Sequence, residues 1–176
     1  MPRDGLWWWH LILHTRGSWL HGDPRGFRSR DHRIHSGGDY KNPPPKGEHA
    51  RLHKFHRQHD RPAVLLPRDW FAAVGQAARG KCEKLDAPVL AISVGPTHLH
   101  ALAQWIDDVD EAGDLAGRLK QRTSHALRHV LPGRVWAEGG KPIRIRDQAH
   151  QRSVYQYILN HALDGDWVWS FREEAG

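Results

Sequence analysis

The chain has 176 residues, a formal net charge of +6 at neutral pH, 15 histidines, 9 tryptophans and one cysteine. The lone Cys82 excludes an internal disulfide framework and suits a reducing compartment. The sequence holds no run of about 20 apolar residues of the kind a membrane helix needs, so neither a membrane span nor a membrane partner is expected. A single domain over 1–176 is expected, and at this length it can bury its own core. The short apolar stretch Leu6–Leu13 is interrupted by His10 and followed by no small-residue cleavage site. That argues against a signal peptide and for a soluble, cytoplasmic protein.

The charge is unevenly distributed. Through Leu66 there are 12 Lys and Arg against 6 Asp and Glu, and from Pro67 onward 14 against 14. The first third also carries 9 of the 15 histidines. A basic arm beside a balanced remainder suggests a polyanion, with nucleic acid ahead of a membrane surface. The competing reading is a soluble protein that is simply basic.

In chain order, Leu6–His14 is apolar throughout and reads as a buried strand. Gly17–Gly26 has turn chemistry, with Asp23-Pro24 breaking any period. A polar, basic, His-rich excursion at about 22–66 follows, with Pro43-Pro44-Pro45 as a stiff spacer and a short helix near Glu48–His59. Pro67 opens a helix with Phe71, Val74 and Ala78 on one face, ending near Gly80–Leu85. Val89–Val94 and Thr97–Trp105, separated by Gly95-Pro96, read as an antiparallel hairpin. Asp114–Val130 is a helix with Leu115, Leu119 and Leu127 on one face. Val135–Ile145 contains a short strand at Ile143–Ile145. Asp147–Leu163 is the last predicted helix, with Gly165 as its stop. This order points to an α+β protein with helices packed on an antiparallel sheet.

Two features carry chemistry. In His98-Leu99-His100 the alternation of a strand puts both imidazoles on one face, where they can share a metal ion. Alone, in a chain with so many histidines, the pattern is a weak signal. In the last helix Tyr157 and His161 are four apart and lie one above the other, so a phenol would sit beside a third metal ligand. Tyr155 lies on another face and is the weaker candidate. On spacing alone, packing of Tyr157 and Ile158 onto a sheet is the more economical reading.

His98-Leu99-His100 resembles the His-hydrophobic-His motif of the HUH endonucleases, and Tyr157-Ile158-Leu159-Asn160-His161 resembles their nucleophile helix. Other segments are similar to the REP-associated tyrosine transposases within that superfamily. They are Gly17–Gly26, Asp39-Tyr40-Lys41-Asn42-Pro43-Pro44, Leu119–Ser124 and Val135–Gly140. The similarity runs from about Trp9 to Trp169. The resemblance implies a ferredoxin-like α+β sandwich whose central antiparallel sheet carries the histidine motif. It also implies metal-dependent cleavage and rejoining of single-stranded hairpin DNA through a covalent 5′-phosphotyrosine. The residues implied are Tyr157 as nucleophile and His98, His100 and His161 as ligands of Mg2+ or Mn2+. The third ligand in relatives is usually an amide, so His161 is a departure that brings Zn2+ into consideration.

Candidate DNA contacts are Arg25 and Arg28 in the excursion and Arg118, Lys120 and Arg122 on the helix after the hairpin. The expected partner is single-stranded or hairpin DNA, and the chain is expected to act as a monomer or homodimer. Two rival readings remain at this point: a catalytically silent, domesticated hairpin-binding protein, and a His-rich metal-binding protein. His49, His53, His56 and His59 suggest a second zinc site, but without cysteine partners they read better as one solvated helix.

Overall fold

The computed structural model describes residues 5–21, 23–24, 45, 47–60, 62–140 and 142–174. The strands are β1 (Leu6–His14), β2 (Val89–Val94), β3 (His98–Ile106), β4 (Ile143–Arg144) and β5 (Trp167–Ser170). The helices are α1 (Ala50–His59), α2 (Phe71–Lys84), α3 (Val109–Leu127), α4 (Gln148–Asn160) and α5 (Phe171–Glu174). The chain divides into two compact units, one formed by residues 1–15 and 65–176 and the other by residues 16–64.

The larger unit is built on one antiparallel sheet with strand order β4-β1-β3-β2-β5. Strands β1 to β4, with α2 and α3 as crossovers, form the split β-α-β unit of ferredoxin-like folds, as the α+β reading expects. Helices α2 and α3 pack against each other and onto the sheet. Leu11, Leu13, Leu99 and Ala101, one set of alternating positions, are fully buried. The opposite alternation carries Trp8, His10, Ile12, His98, His100 and Leu102. On that face Leu102 joins Ala91, Ile145, Val154 and Ile158 in a core cluster beneath α4. Side-chain alternation thus separates an apolar layer under α2 and α3 from a face where histidines follow a small apolar cluster.

The helix boundaries differ from the predicted ones for identifiable reasons. Helix α3 begins at Val109, five residues before the predicted Asp114, because the Asp108 side chain caps it by accepting from the backbone N–H groups of Asp110 and Glu111. A 3-10 turn at Arg68–Trp70 precedes α2. Helix α4 is capped by Asp147 and gives way at His161–Asp164 to another 3-10 turn. Gly165 then stops it in the left-handed region at φ 81°. Strand β5, absent from the predicted elements, follows at once. It pairs Val94 with Trp167 and Ser93 with Val168.

In the smaller unit, α1 matches the predicted short helix and buries none of its residues. Among the described residues no helix is long and apolar enough to cross a membrane.

Candidate metal centre beside an exposed tyrosine

Strand β3 starts directly after the turn at Gly95-Pro96-Thr97, so His98 and His100 stand at its first and third positions. In the β1–β3 register His98 is opposite His14 and His100 is opposite Ile12. The 3-10 turn after α4 brings His161 over the same face. Ring centroids of His98 and His100 are 4.9 Å apart, those of His98 and His161 4.9 Å, and those of His100 and His161 4.8 Å. One nitrogen from each ring lies within 4.8 Å of the others. Among the described residues this is the group of three potential ligands that can hold a metal ion.

Tyr157, one turn before His161, stands at the edge of this cluster. Its ring is edge-on to His161 at 4.9 Å and to His100 at 5.3 Å. It is 49% exposed, so part of the residue faces solvent. Tyr155 serves a different purpose. Its hydroxyl shares a hydrogen bond with Ser170 Oγ at 2.5 Å, and its ring meets Phe171 and Arg172, so it fastens α4 to β5.

Two further residues belong to the site and are not among the predicted ones. His10 lies on β1, diagonal to His100, and its Nε2 is 3.0 Å from His100 Nδ1. Asp166, between Gly165 and β5, places its nearly buried carboxylate 3.3 Å from His98 Nε2 and 3.1 Å from His161 Nδ1. The signal for His10 was available, since a histidine inside an apolar strand is unusual. Asp166 depends on β5 and could not be placed without it.

Burial disfavours the charged form of His10, His98 and His100. His100 is pushed down to about 2 by burial, reinforced by His10, His98, His161 and His14. His10 is pushed down to about 4 by burial, with His150 and His161 adding to the effect. His98 is lowered by burial and by His161, against the opposing pull of Asp166. Neutral imidazole is the form that binds metal. The Tyr157 phenol is raised by burial and by the carboxylates of Asp164 and Asp166, so in the absence of added positive charge it stays protonated. The residues fit a cation by a second criterion. His98 Nε2, both ring nitrogens of His161 and Asp166 Oδ2 are buried and make no hydrogen bond of regular geometry, His98 and His161 facing Asp166 only at ion-pair distance, an arrangement that a cation taking their lone pairs would stabilise.

The basic residues singled out from the sequence are not brought to this cluster. Lys120 Nζ donates to the carbonyl oxygen of Ala137 at 2.9 Å and to that of Gly139. It thereby clasps the Val135–Gly140 segment to α3, helped by Trp136 Nε1 donating to Thr123 Oγ1 at 2.9 Å. Arg118 and Arg122 line a shallow surface cavity with Lys81, Gln121 and His125, on the helical layer that covers the other face of the sheet. Arg25 and Arg28 lie outside the described residues. On α1, His56 bonds Asp60 at 2.8 Å and His59 bonds the Phe55 carbonyl at 2.8 Å.

No family model matches the sequence, and no curated protein does. Among solved structures the chain is similar to a REP-associated tyrosine transposase bound to a REP hairpin, with a TM-score of 0.49 and 13% identity. The match covers 94% of this chain and 71% of that one. A backbone likeness at that distance says nothing about activity.

Proposed function

We propose that this chain is a metal-dependent enzyme that cuts and rejoins single-stranded hairpin DNA, in the manner of the REP-associated tyrosine transposases its motifs resemble. The observation that carries the reading is the half-exposed Tyr157 at the rim of a cluster of three histidines close enough together to share a cation. His98, His100 and His161 would hold the ion. When bound, a divalent cation supplies positive charge that neutralises a phosphate oxygen and lowers the cost of ionising a nearby phenol. Tyr157 gives its proton to solvent, and its oxygen forms a bond to phosphorus. The bond from phosphorus to the preceding nucleotide's 3′ oxygen breaks, and that oxygen takes a proton from solvent, leaving a 5′-phosphotyrosine and a free 3′-hydroxyl. Attack by another 3′-hydroxyl reverses the step, so rejoining needs no ATP. The basic segment at about 22–66, including Arg25 and Arg28, and the cations Arg118 and Arg122 would bear on the DNA backbone, whose contacts are salt-sensitive.

The test is covalent capture. With a single-stranded hairpin and Mn2+ or Mg2+, the protein should form an adduct that survives a denaturing gel. Tyr157→Phe should abolish the adduct and leave hairpin affinity within about twofold, since only the nucleophilic oxygen is lost. Tyr155→Phe should still form it. A wild-type protein that binds hairpins yet yields no adduct with any divalent ion is a binder, and the enzymatic reading falls. One that binds metals at several sites and ignores DNA is the His-rich metal-binding protein.

A further inference from the structure

We propose that Asp166 is a fourth protein donor to the same cation, making the centre three imidazoles and one carboxylate. The inference rests on the metal-binding half of the reading above and not on its DNA chemistry. Oδ2 of Asp166 is 3.3 Å from His98 Nε2 and 3.1 Å from His161 Nδ1, ion-pair contacts whose directions depart from regular hydrogen-bond geometry. A carboxylate that only orients a ring accepts its N–H head-on. Donors that share a cation behave differently: their lone pairs point at the ion, so the atoms lie close together but off each other's axes. With bonds of about 2.0–2.1 Å, neighbouring donors are about 3.4 Å apart around a tetrahedral ion and about 2.9 Å apart around an octahedral one. Both observed separations fall inside that interval.

The backbone is arranged to admit the carboxylate. The Asp166 N–H donates to the His161 carbonyl at 3.2 Å, which ties the two residues together. Pairing of Val94 with Trp167 sets Asp166 beside Gly95. A Cβ on Gly95 would come within 2.6 Å of either carboxylate oxygen, so the glycine makes room for Asp166. The side chain is only 4% exposed. Burying a carboxylate is expensive, and a cation offsets it. His98 Nδ1 is engaged by Thr97 Oγ1 at 3.3 Å, so Nε2, the atom beside Asp166, is the one left for the ion.

The chemical consequence concerns which ion can work. Four protein donors fill a tetrahedral ion such as Zn2+ and leave no position for a phosphate oxygen. Mn2+ and Co2+ accept up to six donors and keep positions free. Zinc should therefore bind more tightly than manganese and hold the centre closed.

The experiment is a titration of the full chain with Co2+, read by its visible d–d absorption, with competition by Zn2+. The double variant His98→Ala/His100→Ala gives the background from other histidines. Asp166→Asn, nearly isosteric, should weaken binding at the site about 100-fold or more and alter the band positions and intensities. Gly95→Ala should produce the same spectral change by displacing the carboxylate while leaving all three imidazoles in place. If Asp166→Asn and Gly95→Ala keep the wild-type spectrum with less than tenfold loss of affinity, while His100→Ala abolishes the site, Asp166 is not a ligand and the three-histidine centre stands. If the wild-type protein binds no Co2+ above the background, the centre and this inference fail together.

Discussion

The hydrogen bond between His10 Nε2 and His100 Nδ1 decides which nitrogen of His100 is free for a cation. With Nδ1 spoken for, Nε2 is the donor, so Nδ1 carries the proton and His10 accepts it. Burial keeps His10 uncharged and able to do so. This is the usual way an outer partner fixes the tautomer and rotation of a metal-binding imidazole. His10→Phe should therefore lower metal affinity about 10- to 100-fold without changing the donor set. Measured by Co2+ titration, an unaltered d–d spectrum with a weaker dissociation constant is expected, in contrast to Asp166→Asn. Unchanged affinity would mean that His10 merely fills the core. Part of this centre was legible beforehand because strand alternation and helical spacing are local rules: they place His98 with His100, and Tyr157 with His161, from their numbering alone. What joins those pairs is not local. His10 reaches His100 through a diagonal position across two strands, and Asp166 arrives through a strand pairing at the far edge of the sheet, so neither shows up as a spacing.

The apolar runs of β1, β2 and β3 and the one-faced period of α3 were readable because burial dictates those patterns. β5 was not, because a four-residue strand offers too few alternations. Its position matters all the same, since it fixes Asp166, the residue just before it, and anchors α2. The ring of Trp167 rests on Gly75 in the middle of α2, where a Cβ would come within 1.9 Å of it. Glycine inside a helix ordinarily costs about 0.5–1 kcal/mol relative to alanine, so Gly75→Ala on an open surface would stabilise. Here the steric term wins. The substitution should destabilise by about 1–3 kcal/mol, the usual range for overpacking a tight core, measured as a lower urea midpoint with unchanged slope. The double variant Gly75→Ala/Trp167→Leu should recover part of the loss, because it removes the clashing ring. A stabilised Gly75→Ala protein would show that Trp167 moves aside freely. The segments Leu119–Ser124 and Val135–Gly140, notable in the sequence only as similarities, gain a physical role at this scale. Lys120, Thr123 and Trp136 join them into a clasp, and the Ala137 N–H donates to the His14 carbonyl at 2.9 Å at the end of β1.

At the scale of the larger unit, the candidate metal centre and the hydrophobic core can open together or separately. Cys82 distinguishes the two. It lies on α2 with no exposed surface, among core residues and away from the histidine face. Burial, with a smaller contribution from Glu83, pushes its thiol up to about 12. Only the thiolate reacts, so labelling at pH 8 requires α2 to open first. For a domain of ordinary stability, about 5 kcal/mol or more, native labelling should be at least about 10³-fold slower than labelling in urea. A cation that binds only the folded state adds to this protection. At 100 times its dissociation constant it contributes about 2.7 kcal/mol, which slows labelling about 100-fold further if the opening is global. His100→Ala should retain the slow baseline and lose the cation's effect. Prompt labelling of the native protein would mean that α2 frays independently of the sheet. Slowing by the cation that persists in His100→Ala would place the bound metal on other histidines and detach it from the centre described here.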